Sequence, residues 1–401
     1  MMKRLSELAA LLKDARISGG DAEITSIERD SRRVREGALF VCISGAHVDA
    51  HSFIPNAARA GARAILTERE TVDVPDGITV LHVSDLQEAL DVIVPYFYDY
   101  PARAMRVIGI TGTNGKTTTS YLVRAILRHA GKRVGLIGTI QVMMEDEIFP
   151  TANTTPDVIV MQQLLAEMRT RKMDAVVMEV SSHALDQRRV AGIEFDTAVF
   201  TNLTQDHLDY HKTMENYARA KARLFDLVSE TGTKAGKTAV LNADDAWSKA
   251  MRAHALCPII SYGVEHDAAL MAHDVHLAQD GMELVLVHDG AELSRLHIGI
   301  TGLFNVYNVL AATGAALAEK VAAADIEAAL MDFAGVPGRF ELVRAGQDFS
   351  VIVDYAHTPD GMENVLRTAR AVTAGRIIAV FGCGGDRDRT KRPIMGRMAA
   401  E

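Results

Sequence analysis

Nine consecutive residues, Ile110-Thr111-Gly112-Thr113-Asn114-Gly115-Lys116-Thr117-Thr118, carry the clearest chemistry in the chain. An apolar run, Val107 to Ile110, reads as a buried strand before the glycines, and Tyr121 to Ala130 reads as a helix after them. A Gly-rich turn at such a junction lets backbone N–H groups approach a phosphate, and the helix N-terminus adds partial positive charge. Lys116 supplies a point charge for outer phosphates, and the Thr117 hydroxyl suits Mg²⁺. Position 110 is Ile where the longer P-loop pattern has Gly, so the pattern here is the shorter G-T-N-G-K-T. An ordinary Gly-rich turn is the alternative, but Gly-Lys-Thr at a strand-to-helix junction favours phosphate.

Other strand ends are polar as well. Glu179 closes the apolar run Ala175-Val176-Val177-Met178, and ligands of open α/β sheets sit at the carboxyl ends of strands. A carboxylate beside a phosphate loop suits Mg²⁺, which prefers oxygen donors; a surface acid is the plainer alternative. Ser181, Ser182 and His183 follow, then Gln187 and Arg189, on a loop of the kind where ligand contacts concentrate. An Arg grips carboxylates or phosphates with two N–H donors, although each of these residues taken singly is an ordinary solvated one. The segment Asn202 to His211 also follows a strand end. Its His and Asp residues point to metal or phosphate work, with a hard cation favoured because no His-His-Cys spacing argues for zinc. Lys221, within Ala220-Lys221-Ala222-Arg223, reads as a solvated helix lysine. Three more clusters are polar: Asp354 to Pro359 after an apolar strand, Gly338-Arg339-Phe340-Glu341, and the Gly-rich Gly382 to Asp388.

Elements of alternating type must position these groups. Before residue 100, Ala38 to Ile43 and Ala62 to Leu66 read as strands and Ser52 to Ala60 as a helix. Pro95 to Pro101, aromatic and bounded by prolines, reads as a linker. Strands near Val134 to Ile137, Ala175 to Val180, Thr197 to Thr201 and Ala239 to Asn242, with helical patterns between them, predict a mostly parallel sheet. From Leu270 to Ile300 apolar and polar residues alternate around Asp280-Gly281 and Asp289-Gly290, which predicts an antiparallel extension. Helices are predicted at Val306 to Glu319 and Ala324 to Asp332. A last unit from about Gly338 reads as strand Val351 to Asp354, helix Met362 to Ala371, strand Ile377 to Phe381 and a helix from Pro393.

Composition narrows the function. A chain of 401 residues holds two or three domains. The net charge of −9 speaks against a broad nucleic-acid surface. Three scattered cysteines, Cys42, Cys257 and Cys383, show no metal spacing and suit a reducing cytoplasm. Lys3 and Arg4 make the N-terminus basic, but Glu7 and Lys13 break any apolar core, so it is a poor signal peptide. No apolar run reaches the roughly 18 residues of a membrane span.

Seven motifs in order, TGTNGKTTT, MEVSSHAL, TNLTQDHLDYH, GLFNVYNVLAA, PGRFE, DYAHTPD and FGCGGDRDRTKRP, together with Asp30-Ser31-Arg32, make the chain resemble the Mur ligases over nearly its whole length. These are ATP-dependent amide-forming enzymes of bacterial cell-wall synthesis, and the likeness is nearest to members that add the third amino acid. The resemblance implies an α/β protein of three domains: a UDP-sugar-binding domain over 1–100, a central ATP-binding P-loop domain with a mostly parallel sheet over 101–335, and an incomplete Rossmann-like acceptor-binding domain over 336–401. It implies that Ser31, Ala46, His47 and Val48 contact the UDP end of UDP-MurNAc-L-Ala-D-Glu, and that Asn153, Thr154, Thr155, Ser181, Gln187 and Arg189 hold its muramoyl-dipeptide. Gly112, Thr113, Asn114, Gly115, Lys116, Thr117 and Thr118 would hold the ATP phosphates, with Asn305, Arg339 and Asp354 also on the nucleotide and His357 beside them. Thr117, Glu179, His207 and Lys221 would serve Mg²⁺, the lysine as a carbamate formed with CO₂. Lys116, Glu179, His207 and Lys221 would be the catalytic set, and Arg387 would grip a carboxylate of the incoming amino acid. GGDRDRTKRP favours meso-diaminopimelate as that acceptor over L-lysine. Family members continue past the last residue here, so a truncated chain is expected, with a nucleotide- and UDP-sugar-binding protein lacking ligase activity as the alternative.

Overall fold

A computed structural model describes residues 2–44, 48–230, 232–343, 345–384 and 389–401. The chain packs as two compact units, one of Met1–Ala104, Pro156–Arg171 and Gln187–Ile193, the other of Met105–Thr155, Lys172–Asp186 and Glu194–Glu401.

The first unit is built on a five-stranded sheet ordered Arg16–Ser18, Thr79–His82, Ala62–Thr67, Ala38–Val41 and Ser26–Glu28. Its neighbours run parallel except at the Arg16–Ser18 edge. Alternation in a strand sends successive side chains to opposite faces. Leu39 and Val41 therefore join one apolar cluster and Ala38 and Phe40 another. Helix Leu86–Phe97 begins at an Asp85 cap whose carboxylate accepts from Glu88 N at 2.8 Å.

That helix corrects the predicted linker. Pro95, Tyr96 and Phe97 form its last turn, and Phe97 and Tyr98 pack into the core with Val158 and Ile159. Proline removes one helical N–H donor and crowds the preceding turn, and the burial of Pro95, Phe97 and Tyr98 offsets that cost. The chain leaves the helix through Asp99 and Tyr100 at φ 54° and 45°, a left-handed turn.

The second unit holds an eleven-stranded sheet. Its order is Glu147–Phe149, Val142–Met144, Val134–Ile137, Ala175–Glu179, Arg106–Thr111, Thr197–Phe200, Thr238–Asn242, Ile259–Gly263, Leu270–Leu277, Met282–His288 and Ala291–Ile298. Strands from Val134–Ile137 to Leu270–Leu277 are parallel, and both ends of the sheet turn antiparallel. The antiparallel extension read from the Asp-Gly pairs is present. Asp289 and Gly290 at φ 49° and 79° make the tight reversal between its last two strands.

Ile108 and Ile110 face helix Lys116–His129 through Leu122, Val123, Ile126 and Leu127. The intervening Gly109 lies on the other face, where a Cβ would strike Phe195. At the amino ends of the central strands, Asp196 is fully buried. Its Oδ2 accepts from Lys234 Nζ at 2.6 Å and Val107 N at 2.7 Å, and Arg106 Nη1 lies 2.8 Å from Oδ1. Arg106 also pairs with Glu319 at 2.7 Å.

Residues beyond 338 form the antiparallel pair Glu341–Val343 and Val351–Val353, then helices Pro359–Val372 and Lys391–Ala400. Ile377 to Phe381 is not a strand, contrary to the sequence reading. A strand needs a ladder partner, and among the described residues none pairs with it; Ile378 and Val380 remain 70% and 94% exposed.

Candidate active site

Register places the site. In the central strands Glu179 lies opposite Ile110, and Phe200 opposite Thr111. The carboxyl ends of Arg106–Thr111, Ala175–Glu179 and Thr197–Phe200 therefore open together, where ligands of α/β sheets bind.

The loop between strand Arg106–Thr111 and helix Lys116–His129 makes the turn with Gly112 at φ 150° and Gly115 at φ 84°. A side chain on Gly112 would collide with Thr201 Oγ1, and one on Gly115 with Asn308 Oδ1. The loop is tied to the segment after Phe200. Thr113 N donates to Asn202 O at 2.8 Å, Asn114 N to Asn202 Oδ1 at 2.9 Å, and Thr201 Oγ1 to Asn114 O at 2.6 Å. These bonds use the N–H groups of Thr113 and Asn114. The first-turn N–H groups of Lys116, Thr117 and Thr118 have no acceptor within the helix, which leaves them for an anion.

Two lysines meet at this loop. Lys116 Nζ donates to Gly112 O at 2.9 Å and Thr113 O at 2.7 Å. Lys221 Nζ donates to the same Gly112 O at 2.7 Å and lies 4.5 Å from the Tyr217 ring centroid. Burial lowers the Lys116 pKa, with Glu179 and Asp206 opposing. Lys221 is 1% exposed, and burial followed by the Lys116 charge pushes its pKa well below the usual lysine value.

Lys221 is therefore not the solvated helix lysine read from its neighbours. It lies on helix Met214–Ser229 among the buried Tyr217, Leu224, Phe225 and Val228. Positions 217, 221, 224, 225 and 228 make one apolar stripe at helical spacing. A lysine in the middle of such a stripe was the available signal.

Glu179 is fully buried. Its Oε2 accepts from Thr117 Oγ1 at 3.1 Å and Thr139 Oγ1 at 2.9 Å, and its Oε1 from Thr139 N at 2.8 Å. Thr139 was not singled out in the sequence, although it too follows a strand end. Thr139 Oγ1 meets Thr154 Oγ1 at 3.0 Å. Thr155 Oγ1 donates to Glu179 O at 2.9 Å and receives Ser181 N at 3.1 Å. Thr154, Thr155 and Ser181 thus gather around Glu179. Asn153 O accepts from Thr151 Oγ1 at 2.7 Å.

His207 has φ 54°, and burial pushes its pKa down to about 4 against the pull of Asp206. Its ring stands edge-on to His183 at 4.8 Å between centroids. His211 stacks on Tyr217 at 5.1 Å and meets Ser182 Oγ at 2.9 Å. Tyr217 also reaches Thr113 Oγ1 at 3.2 Å, so one aromatic face links the histidines to the loop. No group of three metal-ligating side chains is already assembled among the described residues.

The segment after 338 supplies further polar groups to the same loop. Arg339 Nη2 donates to Thr117 Oγ1 at 3.3 Å, and its guanidinium lies over the Tyr355 ring at 4.8 Å. Asp354 accepts from Phe340 N and Ala356 N, each at 2.7 Å, and burial raises its pKa. Asp360, the last residue of DYAHTPD and given no role of its own by the sequence, accepts from Asn114 Nδ2 at 2.5 Å and Thr204 Oγ1 at 3.2 Å. Asn305 is 2% exposed, donates to Thr301 O at 2.8 Å and accepts from Asn308 Nδ2 at 2.9 Å. His357 is exposed, and its carbonyl accepts from Lys391 Nζ at 2.7 Å.

Four of the remaining residues belong to the first unit: Ser31 is half-buried, Val48 is exposed, and Arg189 donates to Gln187 Oε1 at 2.6 Å. Ala46, His47 and Arg387 lie outside the described residues. No described helix is long and apolar enough to cross a membrane.

Known proteins share this sequence and architecture. Residues 23–98 match the Mur ligase family catalytic domain, residues 110–316 the Mur ligase middle domain, and residues 338–401 the Mur ligase glutamate ligase domain. The chain is 49% identical over 381 residues to the UDP-N-acetylmuramoyl-L-alanyl-D-glutamate--2,6-diaminopimelate ligase of Bacillus cereus, covering 94% of this chain and 77% of that protein. The same-named protein of Bacillus licheniformis is 48% identical over 402 residues, covering 99% and 81%. A solved structure of a UDP-N-acetylmuramoyl-L-alanyl-D-glutamate--2,6-diaminopimelate ligase superposes with a TM-score of 0.74 at 31% identity, covering 94% of this chain and 76% of that one.

Proposed function

This chain belongs to the Mur ligase family, and on that premise we propose that it joins meso-diaminopimelate to the D-Glu carboxylate of UDP-MurNAc-L-Ala-D-Glu, with ATP as the energy source, in the cytoplasm. A carboxylate is a poor acyl donor. Its oxygen first attacks the γ-phosphorus of ATP, ADP leaves, and an acyl phosphate forms. The uncharged acceptor amine then attacks the acyl carbon, phosphate leaves, and the amine proton passes to solvent.

The observation that supports the reading most is the meeting of Lys116, Thr117 with Glu179, and the buried Lys221 around one phosphate-type loop. Charge spreading over the transferring phosphoryl group is the main demand of such a step. Lys116 would exchange its carbonyl partners for phosphate oxygens, and the first-turn N–H groups would hold the phosphate chain. Asn305, Arg339 and Asp354 would contact the nucleotide. Asn153, Thr154, Thr155, Ser181, Gln187 and Arg189 would orient the muramoyl-dipeptide, with Ser31, Ala46, His47 and Val48 on its UDP end and Arg387 on the acceptor.

The donor set fits Mg²⁺. Glu179 and Thr117 offer hard oxygens 3.1 Å apart, and His207 is held neutral by burial. Lys221 as an ammonium could not be a ligand. Driven toward the free amine, it can attack the carbon of CO₂ and release a proton, which turns a cation into a carboxylate-like oxygen donor. Bound Mg²⁺ would supply neutralising charge to the phosphates.

The test is to incubate the chain with ATP, Mg²⁺ and UDP-MurNAc-L-Ala-D-Glu, with meso-diaminopimelate or L-lysine in separate reactions, and to weigh the product. Tripeptide formed with diaminopimelate is expected. Product with lysine alone would reassign the acceptor, and no ADP or product with either would refute the ligase reading.

A further inference from the structure

Asp360 stands in the first turn of helix Pro359–Val372, where an acid is common because it faces the positive end of the helix dipole. An acid there for that reason alone has no need of distant partners. Here Oδ2 turns away from its own helix toward two donors on two other segments: Asn114 Nδ2 in the phosphate loop at 2.5 Å, and Thr204 Oγ1 at 3.2 Å. Both donors belong to one network. Thr204 N donates to Thr113 Oγ1 at 3.1 Å, and Asn114 N donates to Asn202 Oδ1 at 2.9 Å. One carboxylate oxygen thus ties the helix to the two segments that shape the loop.

We propose that Asp360 is a positioning residue that couples nucleotide occupancy of the loop to the docking of helix Pro359–Val372. The inference rests on the reading of this loop as the ATP site. Phosphates fixed by the loop N–H groups restrain the backbone of residues 112–118, and that restraint holds the Asn114 amide where Asp360 can accept from it. Ordering a shared element once benefits both contacts, so each favours the other. By linkage the docked helix strengthens nucleotide binding by the same factor by which nucleotide strengthens docking. Arg339, whose Nη2 is 3.3 Å from Thr117 Oγ1, adds a second tie between this segment and the loop and does not depend on Asp360.

Amide hydrogen exchange with and without adenylyl imidodiphosphate and Mg²⁺ tests this directly. In the unaltered chain the analogue should slow exchange both in helix Lys116–His129 and in helix Pro359–Val372. In Asp360→Ala, protection of Lys116–His129 should remain while that of Pro359–Val372 falls most of the way toward its analogue-free level, the Arg339 tie keeping the remainder, and the analogue should bind about fivefold or more weakly. Asn114→Ala removes one of the two donors and should lower protection of Pro359–Val372 in the same direction, and the double variant should be no worse than Asp360→Ala alone, since the Asn114 contact ends on Asp360. Thr204→Val approaches the oxygen from the other segment and serves if Asp360→Ala melts early in a thermal scan.

Additive effects, or unchanged protection of Pro359–Val372 in Asp360→Ala, would overturn the coupling. Protection of Lys116–His129 without any response at Pro359–Val372 in the unaltered chain would overturn it too, while leaving the ATP site standing. Loss of protection at both helices in the unaltered chain would instead sink the ATP reading and the coupling with it.

Discussion

Replacing Lys221 by Met should make the protein more stable and inactive. The side chains are of similar length, so the stripe of helix Met214–Ser229 stays filled. What disappears is an amine that is 1% exposed and whose charged form is disfavoured by burial and by Lys116. Exchanging a buried ionisable group for a well-packed apolar one is neutral to stabilising, on the scale of about 1–4 kcal/mol known for buried ion pairs. Against this stands the lost bond from Nζ to Gly112 O at 2.7 Å, a neutral-range contribution of about 1 kcal/mol. The lost contact with the Tyr217 ring at 4.5 Å is largely replaced by a sulfur–aromatic contact of roughly 0.3–1.5 kcal/mol. A net gain of up to roughly 3 kcal/mol remains, at about 2–4 °C in Tm for each kcal/mol in a unit of this size. The sign with pH follows from the lowered pKa. The unfolded chain binds the extra proton below its ordinary lysine value, so the unaltered protein loses stability as pH falls from there toward the folded pKa. The advantage of Lys221→Met therefore grows on the way down and levels off below the folded pKa.

Urea unfolding at several pH values in CO₂-free buffer measures all of this. Bicarbonate with Mg²⁺ should then raise the Tm of the unaltered chain and leave Lys221→Met unmoved. A variant less stable than the parent at neutral pH would refute the burial argument. An equal response of both proteins to bicarbonate would refute the carbamate.

Other expectations are simpler to state. Lys116→Ala should cut ATP turnover by about a thousandfold, the scale of removing one transition-state charge partner, with little change in Tm; steady-state ADP release checks it, and a loss under tenfold would count against the site. Asp196→Ala leaves Lys234, which is only 9% exposed, without its counter-charge and should cost about 3–5 kcal/mol; a urea midpoint unmoved from the parent would contradict the buried network. His207, pushed down to about 4, stays neutral through the physiological range and should add no acid limb near pH 6 to the rate profile; a limb there that vanishes in His207→Asn would contradict the lowered pKa. The parent should lose stability relative to His207→Asn as pH falls from the unfolded value of about 6.5 toward 4, and melts of the two between those values that keep a constant difference would contradict the lowered pKa.

The loop was legible because its chemistry is local: two glycines forced by left-handed turns, a lysine and a hydroxyl within seven residues, Gly112 to Thr118. The antiparallel extension was legible for the same reason, since Asp289-Gly290 specifies its own reversal. Contacts across long sequence separations were not. Thr139 reaches Glu179 across 40 residues and Asp360 reaches Asn114 across 246, and no local pattern announces either. Lys221 falls between these cases. Its neighbours in sequence are small and charged, which suggests solvent, while its neighbours at helical spacing are Tyr217 and Phe225. Pro95 and the run Ile377 to Phe381 failed in opposite directions. The first carried breaker residues but was covered by a core, and the second had strand composition but no ladder partner among the described residues.

The position of Lys116 bears on turnover. Its ammonium rests on two carbonyls of its own loop, at 2.9 and 2.7 Å, so the cation has an internal substitute for phosphate. On the reading of this loop as the ATP site, departure of ADP would leave no naked charge behind, because the lysine would fold back as the nucleotide went. The net affinity for the spent nucleotide would then be set by the difference between two satisfied states rather than by the whole strength of the ionic contact, so a loop that holds phosphate through a full charge need not be trapped by its product.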